Sequence, residues 1–173
     1  MTIEEAIRTA IEHETKVRNL YAEAAKSAVD AVGKRVFHVL ADEEKDHLDH
    51  LRGLLSQLRE TGQVTEKALA TVIPPREAVQ HGIQKLRGCL HDRTRSPDVS
   101  GELDLLQRAL EVEIETRDFY KRMVNELEEQ GRRAFARFVE IEEGHRAIVE
   151  AEIDYLTSTG YWFDFQEFGQ EEG

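Results

Sequence analysis

A long internal repeat constrains the fold of this chain more than any other feature of its sequence. A shift of 98 positions aligns residues 33–51 with residues 131–149, and Gly, Arg, Phe, Glu and His coincide. A shift of 99 positions aligns residues 12–21 with residues 111–120, where two Glu, an Arg and a Tyr coincide. Self-similarity at a fixed spacing indicates a duplicated structural unit. The chain is therefore predicted to contain two copies of one motif.

Each copy is predicted to be a pair of long helices. Apolar residues recur at alternating spacings of three and four, which is the period of an amphipathic helix. A Thr2–Glu5 capping box is predicted to open the first helix, and Ser100 is predicted to cap the third. The four apolar series run from Ile3 to Ala28, from Phe37 to Leu58, from Leu103 to Leu127 and from Phe135 to Leu156.

These helices predict an all-α fold, a four-helix bundle built from two repeated helical hairpins with an extra crossover helix. Aromatic residues make up only 7% of the chain and there are 3 prolines, which favours helices over sheet. The bundle is predicted over residues 1–157, with a crossover segment at 63–99 that carries the extra helix after Pro74-Pro75 and a turn-rich break at 93–97. Residues 158–173 are predicted to form an aromatic tail that packs on the bundle or on a partner subunit.

Charge and cysteine content restrict the functional classes. The formal net charge of −12 argues against nucleic acid and anionic membranes as partners. No apolar run approaches the roughly 20 residues that span a bilayer, and the N-terminus has no features of a targeting segment. The single cysteine, Cys89, cannot form an intrachain disulfide and is read as a minor helix-face residue. A cytoplasmic protein is expected.

The informative residues are those that interrupt the apolar series with charge. Every long helix places one glutamate within its buried face, and the second and fourth helices add a histidine three residues later, on the same face. The spacing within each predicted hairpin brings its two glutamates to a similar height. The candidate metal ligands are Glu14, Glu44, His47, Glu113, Glu142 and His145.

Four buried carboxylates at one level repel one another and lose hydration, which costs several kcal/mol for each ion. Two divalent cations would neutralise them, and mixed oxygen and imidazole ligands without thiolate favour iron or manganese, then zinc. An ordinary bundle with a polar stripe, or an oligomer interface, is the alternative structural interpretation. A metal-free or zinc-filled interaction module is the corresponding functional alternative.

The pattern resembles the ferritin-like superfamily, in its rubrerythrin-type branch, over residues 1 to about 157. The resemblance rests on two copies of Glu-x6-Tyr followed by Glu-x2-His, which are Glu14 to Tyr21 with Glu44 to His47, and Glu113 to Tyr120 with Glu142 to His145. It implies a ferritin-like bundle that binds two iron ions. It also implies that Glu44 and Glu142 bridge the ions and that the other four ligands are terminal.

Several neighbours of the candidate ligands are assigned with less specific roles. Tyr21 and Tyr120 either donate hydrogen bonds to ligand carboxylates as second-shell partners or are ordinary core tyrosines. Glu43 and Glu143 are predicted to lie on exposed faces, and Glu152 is predicted to be a surface residue at a helix end. Arg18 and Arg117, which repeat in both copies, are either partners of the ligands or residues at the rim of the site.

The resemblance implies a di-iron oxidoreductase that reduces hydrogen peroxide or dioxygen, with no catalytic residues beyond the metal ligands and no organic cofactor. Rubrerythrins usually carry an extra glutamate where this chain has Thr116. The four cysteines of a rubredoxin-like domain are not present, so electrons are expected from an external donor. The alternative is a ferroxidase or iron-storage protein whose substrate is ferrous iron. A homodimer or larger homo-oligomer is expected in either case.

Overall fold

A computed structural model describes residues 1–65, 68–88 and 98–172, with side chains up to Phe168 in the last of these ranges. Its helices are α1 (Ile3–Ser27), α2 (Ala31–Thr61), α3 (Arg76–Gly88), α4 (Ser100–Glu126) and α5 (Glu129–Thr159), followed by a short 3-10 helix (Phe165–Glu172). No strand occurs in these ranges, which confirms the predicted all-α helical bundle. Cys89 and the predicted break at 93–97 lie outside the described residues.

Side-chain caps fix the N-termini of both helices in the first hairpin. The Thr2 hydroxyl accepts the Glu5 N–H at 3.2 Å, and the Glu5 carboxylate accepts the Thr2 N–H at 2.7 Å, so the predicted capping box is present. The Asp30 side chain caps α2 by accepting the N–H groups of Val32 and Gly33. Only three residues, 28–30, separate α1 from α2, so the two helices run antiparallel and pack along their length.

The second hairpin has the same form, with two residues between α4 and α5. The prediction that Ser100 caps α4 is wrong: the cap residue is Val99, and Ser100 is the first helical residue. The Asp98 carboxylate accepts the Ser100 N–H at 3.0 Å and so performs the capping from one position earlier. Both α2 and α5 end at a left-handed glycine, Gly62 and Gly160, with φ of 72° and 77°.

The two hairpins face each other with opposite polarity. Helix α1 packs against α4. Residue 14 lies opposite residue 120 and residue 21 lies opposite residue 113, so these helices are antiparallel. Helices α2 and α5 meet through their charged residues at mid-length, where His145 contacts Glu44. The bundle therefore has a pseudo-twofold relation that follows the sequence repeat, and its axis passes through the charged layer.

The crossover segment covers one side of the second hairpin. Helix α3 packs on α5 and on the C-terminal 3-10 helix. Before α3 the chain passes over the middle of α2, where Thr71 and Val72 hydrogen-bond to Glu43. Ile73 is buried there and its side chain lies 3.8 Å from where a Cβ on Gly144 would be. The segment thus reaches the level of the charged layer.

The aromatic tail packs back on the bundle. Trp162, Phe163 and Phe165 are each at most 3% exposed. The Trp162 indole N–H donates to Glu102 at 3.0 Å, and the indole ring lies on Gly33. In the described ranges no helix is long and apolar enough to cross a membrane.

The tail also explains a wrong prediction for Glu152. This residue was expected at the surface, but it is fully buried because the tail covers it. Its carboxylate accepts the Phe163 N–H at 3.3 Å. Burial raises the pKa of Glu152 well above its usual value, with further increases from Asp164 and Asp30, which favours the neutral carboxyl.

Candidate metal centre

The six side chains that the sequence predicts as ligands meet in the middle of the bundle. Each of them is 0% exposed. Helices α1 and α4 contribute one carboxylate each, while α2 and α5 contribute a carboxylate and an imidazole each. They are Glu14, Glu44, His47, Glu113, Glu142 and His145. Four helices therefore converge their polar side chains on one water-excluded volume.

The six side chains form two overlapping groups of four. One group contains Glu14 and His47, the other contains Glu113 and His145, and both include Glu44 and Glu142. Within each group the potential ligand atoms lie within 4.8 Å of one another. Two adjacent, bridged metal ions require carboxylates that belong to both ligand groups, as Glu44 and Glu142 do.

Both histidines direct Nδ1 toward the carboxylates. His47 Nδ1 lies 3.0 Å from Glu44 and 3.4 Å from both Glu14 and Glu142. His145 Nδ1 lies 2.7 Å from Glu44 and 3.7 Å from Glu113. The two imidazole rings stack with centroids 5.2 Å apart.

The hydrogen bonds of the protein leave this cluster incompletely satisfied. Glu142 has neither carboxylate oxygen in a hydrogen bond, and Glu14, Glu44 and Glu113 each have one oxygen without a partner among the described residues. Both ring nitrogens of His47 also lack hydrogen-bond geometry, despite the 3.0 Å approach of Nδ1 to Glu44. Buried polar atoms are almost always paired in native proteins. Carboxylate oxygens and imidazole nitrogens are ligands that iron, manganese and zinc accept, so these residues fit a metal pair.

Two tyrosines hold two of the carboxylates from the facing helix. Tyr21 on α1 donates to Glu113 on α4, and Tyr120 on α4 donates to Glu14 on α1. Both tyrosines are fully buried. Burial and the adjacent carboxylates raise the pKa of each hydroxyl well above its usual value, so each remains a donor.

Electrostatics in the cluster are strongly perturbed in the absence of metal. Burial first, and then the negative charge of Glu44, raise the pKa of Glu14 to about 8. Burial and the charges of Glu14 and Glu44 raise the pKa of Glu142 well above its usual range. Both effects disfavour the ionised carboxylate, so protons compensate the charge that a cation would otherwise compensate.

Glu44 and the histidines show the opposite behaviour. Burial would raise the pKa of Glu44, but the adjacent His145 and His47 outweigh it and hold that pKa well below its usual value. Burial alone would likewise lower the pKa of each histidine, but Glu44 and its neighbours raise both well above the usual range. These shifts favour an ionised Glu44 and protonated imidazoles in the metal-free cluster.

Glu43 is a contact residue of the cluster that the sequence interpretation missed. It was expected on an exposed face, but it is 5% exposed and its carboxylate lies 3.1 Å from Nε2 of His145. The prediction failed because the crossover segment covers this face of α2. Position 43 is in register with Val36, Leu40 and His47 on the buried side of α2, and this register could have indicated its burial.

The remaining neighbours lie outside the cluster. Glu143 is partly exposed and pairs with Lys121 at 2.8 Å. Arg18 is exposed, and Arg117 pairs with Asp118 and Glu143, so both arginines are rim residues. Thr116 is buried, and its hydroxyl donates to a main-chain carbonyl of α4.

Comparison with known proteins agrees with this geometry. Residues 1–81 match the family model of rubrerythrin, a stretch that covers α1, α2 and part of the crossover, and so includes Glu14, Glu44 and His47. Comparisons with curated proteins and with solved structures gave no match. The family match over residues 1–81 and the carboxylate–histidine cluster together support metal binding by this site, with iron favoured. The resemblance found in the sequence is thus confirmed over residues 1–81, which carry a rubrerythrin-type, ferritin-like domain match.

Proposed function

We propose that this protein binds two iron ions through its six buried ligands and reduces hydrogen peroxide or dioxygen. Electrons would come from an external donor. The observation that carries the proposal is the complete burial of two ligand groups that share Glu44 and Glu142. When bound, a ferrous pair supplies the two electrons needed to cleave one O–O bond, and hydrogen peroxide then takes up two protons to give two water molecules.

The protein's own residues would arrange and insulate this chemistry. Glu44 and Glu142, which belong to both ligand groups, would hold the two ions side by side. Tyr21 and Tyr120 fix the outer carboxylates, so the ligand positions are set before metal arrives. Phe138 stacks on Tyr120 and packs edge-on against His47, which excludes water from one end of the cluster.

Burial favours a small oxidant over a large organic substrate. A surface groove of about 780 Å³ lies between α3 and α5 and includes Ile141 and Gly144 in its lining. These residues flank Glu142 and His145, yet none of the six ligands lines that groove. A molecule the size of peroxide or dioxygen needs only a narrow path to the cluster. We infer that the substrate belongs to this class.

The iron-handling alternative differs in the fate of the metal. A ferroxidase or storage protein would oxidise ferrous iron at this site and then store it or pass it on, whereas a peroxide reductase would keep the iron at the site. Assembly as a homodimer or larger homo-oligomer remains a prediction in both cases. The test must therefore follow the metal as well as the oxidant.

Anaerobic loading of the purified metal-free protein with Fe(II) separates these functions. Bound iron is counted, hydrogen peroxide is added, and the ultraviolet–visible spectrum and the retained iron are recorded. We expect two irons per chain, rapid oxidation, full retention and recovery of the ferrous state with an added reductant. Glu44→Ala and Glu142→Ala should lose the pair, whereas Glu143→Ala, next to Glu142 but at the rim, should behave as wild type.

Two other outcomes would overturn the proposal. Oxidised iron that leaves the protein and forms mineral would establish the iron-handling function instead. Failure of the wild-type protein to bind iron stoichiometrically would return the six residues to another metal or to a structural role.

A further inference from the structure

We propose that Glu43 is a positioning residue that makes the two halves of the metal centre unequal. It fixes the ring of His145, while the equivalent ring of His47 has no such partner among the residues that the structure describes. The half with Glu113 and His145 would therefore bind its ion more tightly than the half with Glu14 and His47. This inference rests on the proposed two-ion site and specifies how that site loads.

The His145 ring is held between two carboxylates. Its Nδ1 lies 2.7 Å from Glu44, a predicted bridging ligand, and its Nε2 lies 3.1 Å from Glu43. With a metal at Nδ1, the remaining ring proton is on Nε2 and is donated to Glu43. A carboxylate in this position fixes the tautomer and orientation of a ligand histidine and increases its basicity.

Glu43 is itself immobilised by the crossover segment. The Thr71 hydroxyl donates to one of its oxygens at 2.6 Å, and the Val72 N–H donates to the other at 2.8 Å. Three hydrogen bonds from two directions fix a side chain that is 5% exposed. The orientation of His145 is therefore set by residues before α3, far from the ligand helices in sequence.

The other half of the centre lacks this support. The repeat that relates Glu44 to Glu142 relates Glu43 to Ile141, an apolar residue that cannot accept a hydrogen bond. Ile141 is 3% exposed, so water does not replace the missing acceptor easily. Nε2 of His47 accordingly has no hydrogen-bond partner among the described residues. The sequence repeat is therefore broken at position 43, whose carboxylate contacts His145.

Anaerobic titration of the metal-free protein with Co(II) tests the inequality. Calorimetry gives the number and affinity of the binding steps, and the visible d–d bands report ligand geometry. We expect two ions that bind with affinities at least about 10-fold apart, since a lost second-shell partner costs about 10–100-fold in metal affinity. Glu43→Leu should weaken the tight step by that factor and leave the weak step unchanged.

Two further variants separate positioning from a merely structural role. Glu43→Gln keeps the shape and an acceptor oxygen, so it should restore much of the tight step and its spectrum. Glu143→Gln, the matched acidic neighbour of Glu142, should change neither step. A structural role alone would lower the unfolding temperature in Glu43→Leu without altering the ratio of the two affinities.

Each contrary outcome has a separate meaning. Equal affinities in wild type, or an unchanged tight step in Glu43→Leu, would overturn the inference while leaving the two-ion site intact. Glu43, His47 and His145 also form a possible ligand triad, so three ions in wild type and two in Glu43→Leu would show a ligand and not a positioning residue. Fewer than two ions in wild type would contradict the proposed function itself.

Discussion

The hydroxyl of Tyr21 on α1 donates a hydrogen bond to the carboxylate of Glu113 on α4. The repeat produces the reciprocal bond from Tyr120 to Glu14. Each helix therefore supplies one candidate ligand and the donor that holds the ligand of the other helix. Hydrogen bonds therefore join the two hairpins at the level of the candidate metal centre.

Tyr21→Phe and Tyr120→Phe are expected to have equal effects. Each substitution leaves one oxygen of a buried carboxylate without its donor, which costs about 1–3 kcal/mol. The measurement is chemical denaturation of the metal-free protein and of the metal-loaded protein. A loss of stability in one variant but not in the other would contradict the reciprocal arrangement.

The fold and the six ligands could be predicted because both depend on local periodicity. A glutamate in register with an apolar series is expected to lie on the buried face of its helix. The duplication then tests each assignment, because Glu142 must face the interior of the bundle if its repeat equivalent Glu44 does. The six side chains do lie together in the structure. Their service as metal ligands remains the prediction that loading experiments address.

The metal-free protein is expected to lose stability as the pH rises. The pKa of Glu14 is about 8 in the fold against an ordinary value of 4.5. Its contribution to the free energy of unfolding is therefore complete below pH 4.5 and is lost as the pH rises through 8. The raised pKa values of His47 and His145 act in the same direction.

The contribution of Glu44 to the free energy of unfolding changes with pH in the opposite direction, but in another pH range. Its pKa is lowered, so its contribution is present above pH 4.5 and is lost only as the pH falls through its value in the fold. Each pKa unit corresponds to about 1.4 kcal/mol, so a decrease on the order of a few kcal/mol is expected between pH 6 and 9. Thermal unfolding with a chelator present measures it.

Bound metal should reverse this dependence of stability on pH, because the ligands must be deprotonated to bind a metal ion. The same unfolding series with saturating Mn(II) is the control and should show increasing stabilisation by metal over pH 6 to 8. A metal-free protein whose unfolding temperature rises over that range would contradict the assignment of protonated Glu14 and Glu142.

Glu152→Gln is expected to stabilise the protein at pH 8. Burial raises the pKa of the Glu152 carboxyl in the fold, while the unfolded chain ionises it at pH 8, so folding at pH 8 is opposed either by proton uptake or by burial of the charge. Gln is neutral in both states and keeps an acceptor for the Phe163 N–H. The gain in unfolding free energy should be at least about 1 kcal/mol at pH 8 and should vanish near pH 4.

The control for this variant is Glu150→Gln, which removes a partly exposed ion pair with Arg146. Such pairs contribute about 0–1 kcal/mol, so its effect should be small at both pH values. A loss of stability in Glu152→Gln at pH 8 would show that the carboxylate is ionised and paired.

Gly33→Ala is expected to displace the C-terminal tail. A Cβ at this position would lie 2.6 Å from the Trp162 ring, closer than packed atoms approach. Overpacking of this kind costs about 1–3 kcal/mol. Trp162 is the single tryptophan of the chain, so its fluorescence reports tail docking directly. A red shift and increased quenching are expected.

Gly53→Ala is the matched helical control, because nothing lies within 4 Å of its added Cβ. Replacing an unhindered helical glycine with alanine should stabilise the protein by about 0.5–1 kcal/mol and leave the fluorescence unchanged. Equal behaviour of the two variants would contradict the packing of the tail on Gly33.

Glu43 and Glu152 show where prediction from the sequence fails. Both lie on ligand helices and in register with buried residues, Glu43 three residues after Leu40 and Glu152 three residues after Val149. Their burial depends on the segment around Thr71 and on the tail around Phe163, which have no helical period. Long-range packing of irregular segments is not encoded in local spacing. Two sequence signals could have indicated the burial of Glu43: its register with Leu40 and His47, and the apolar Ile141 at the equivalent position of the second copy.

The proposal that six buried residues hold two adjacent metal ions can be tested by anomalous diffraction from crystals of the iron-loaded protein, collected at the iron absorption edge. We expect two peaks roughly 3–4 Å apart, with Glu44 and Glu142 contacting both. A single peak, or iron bound away from these residues, would contradict it.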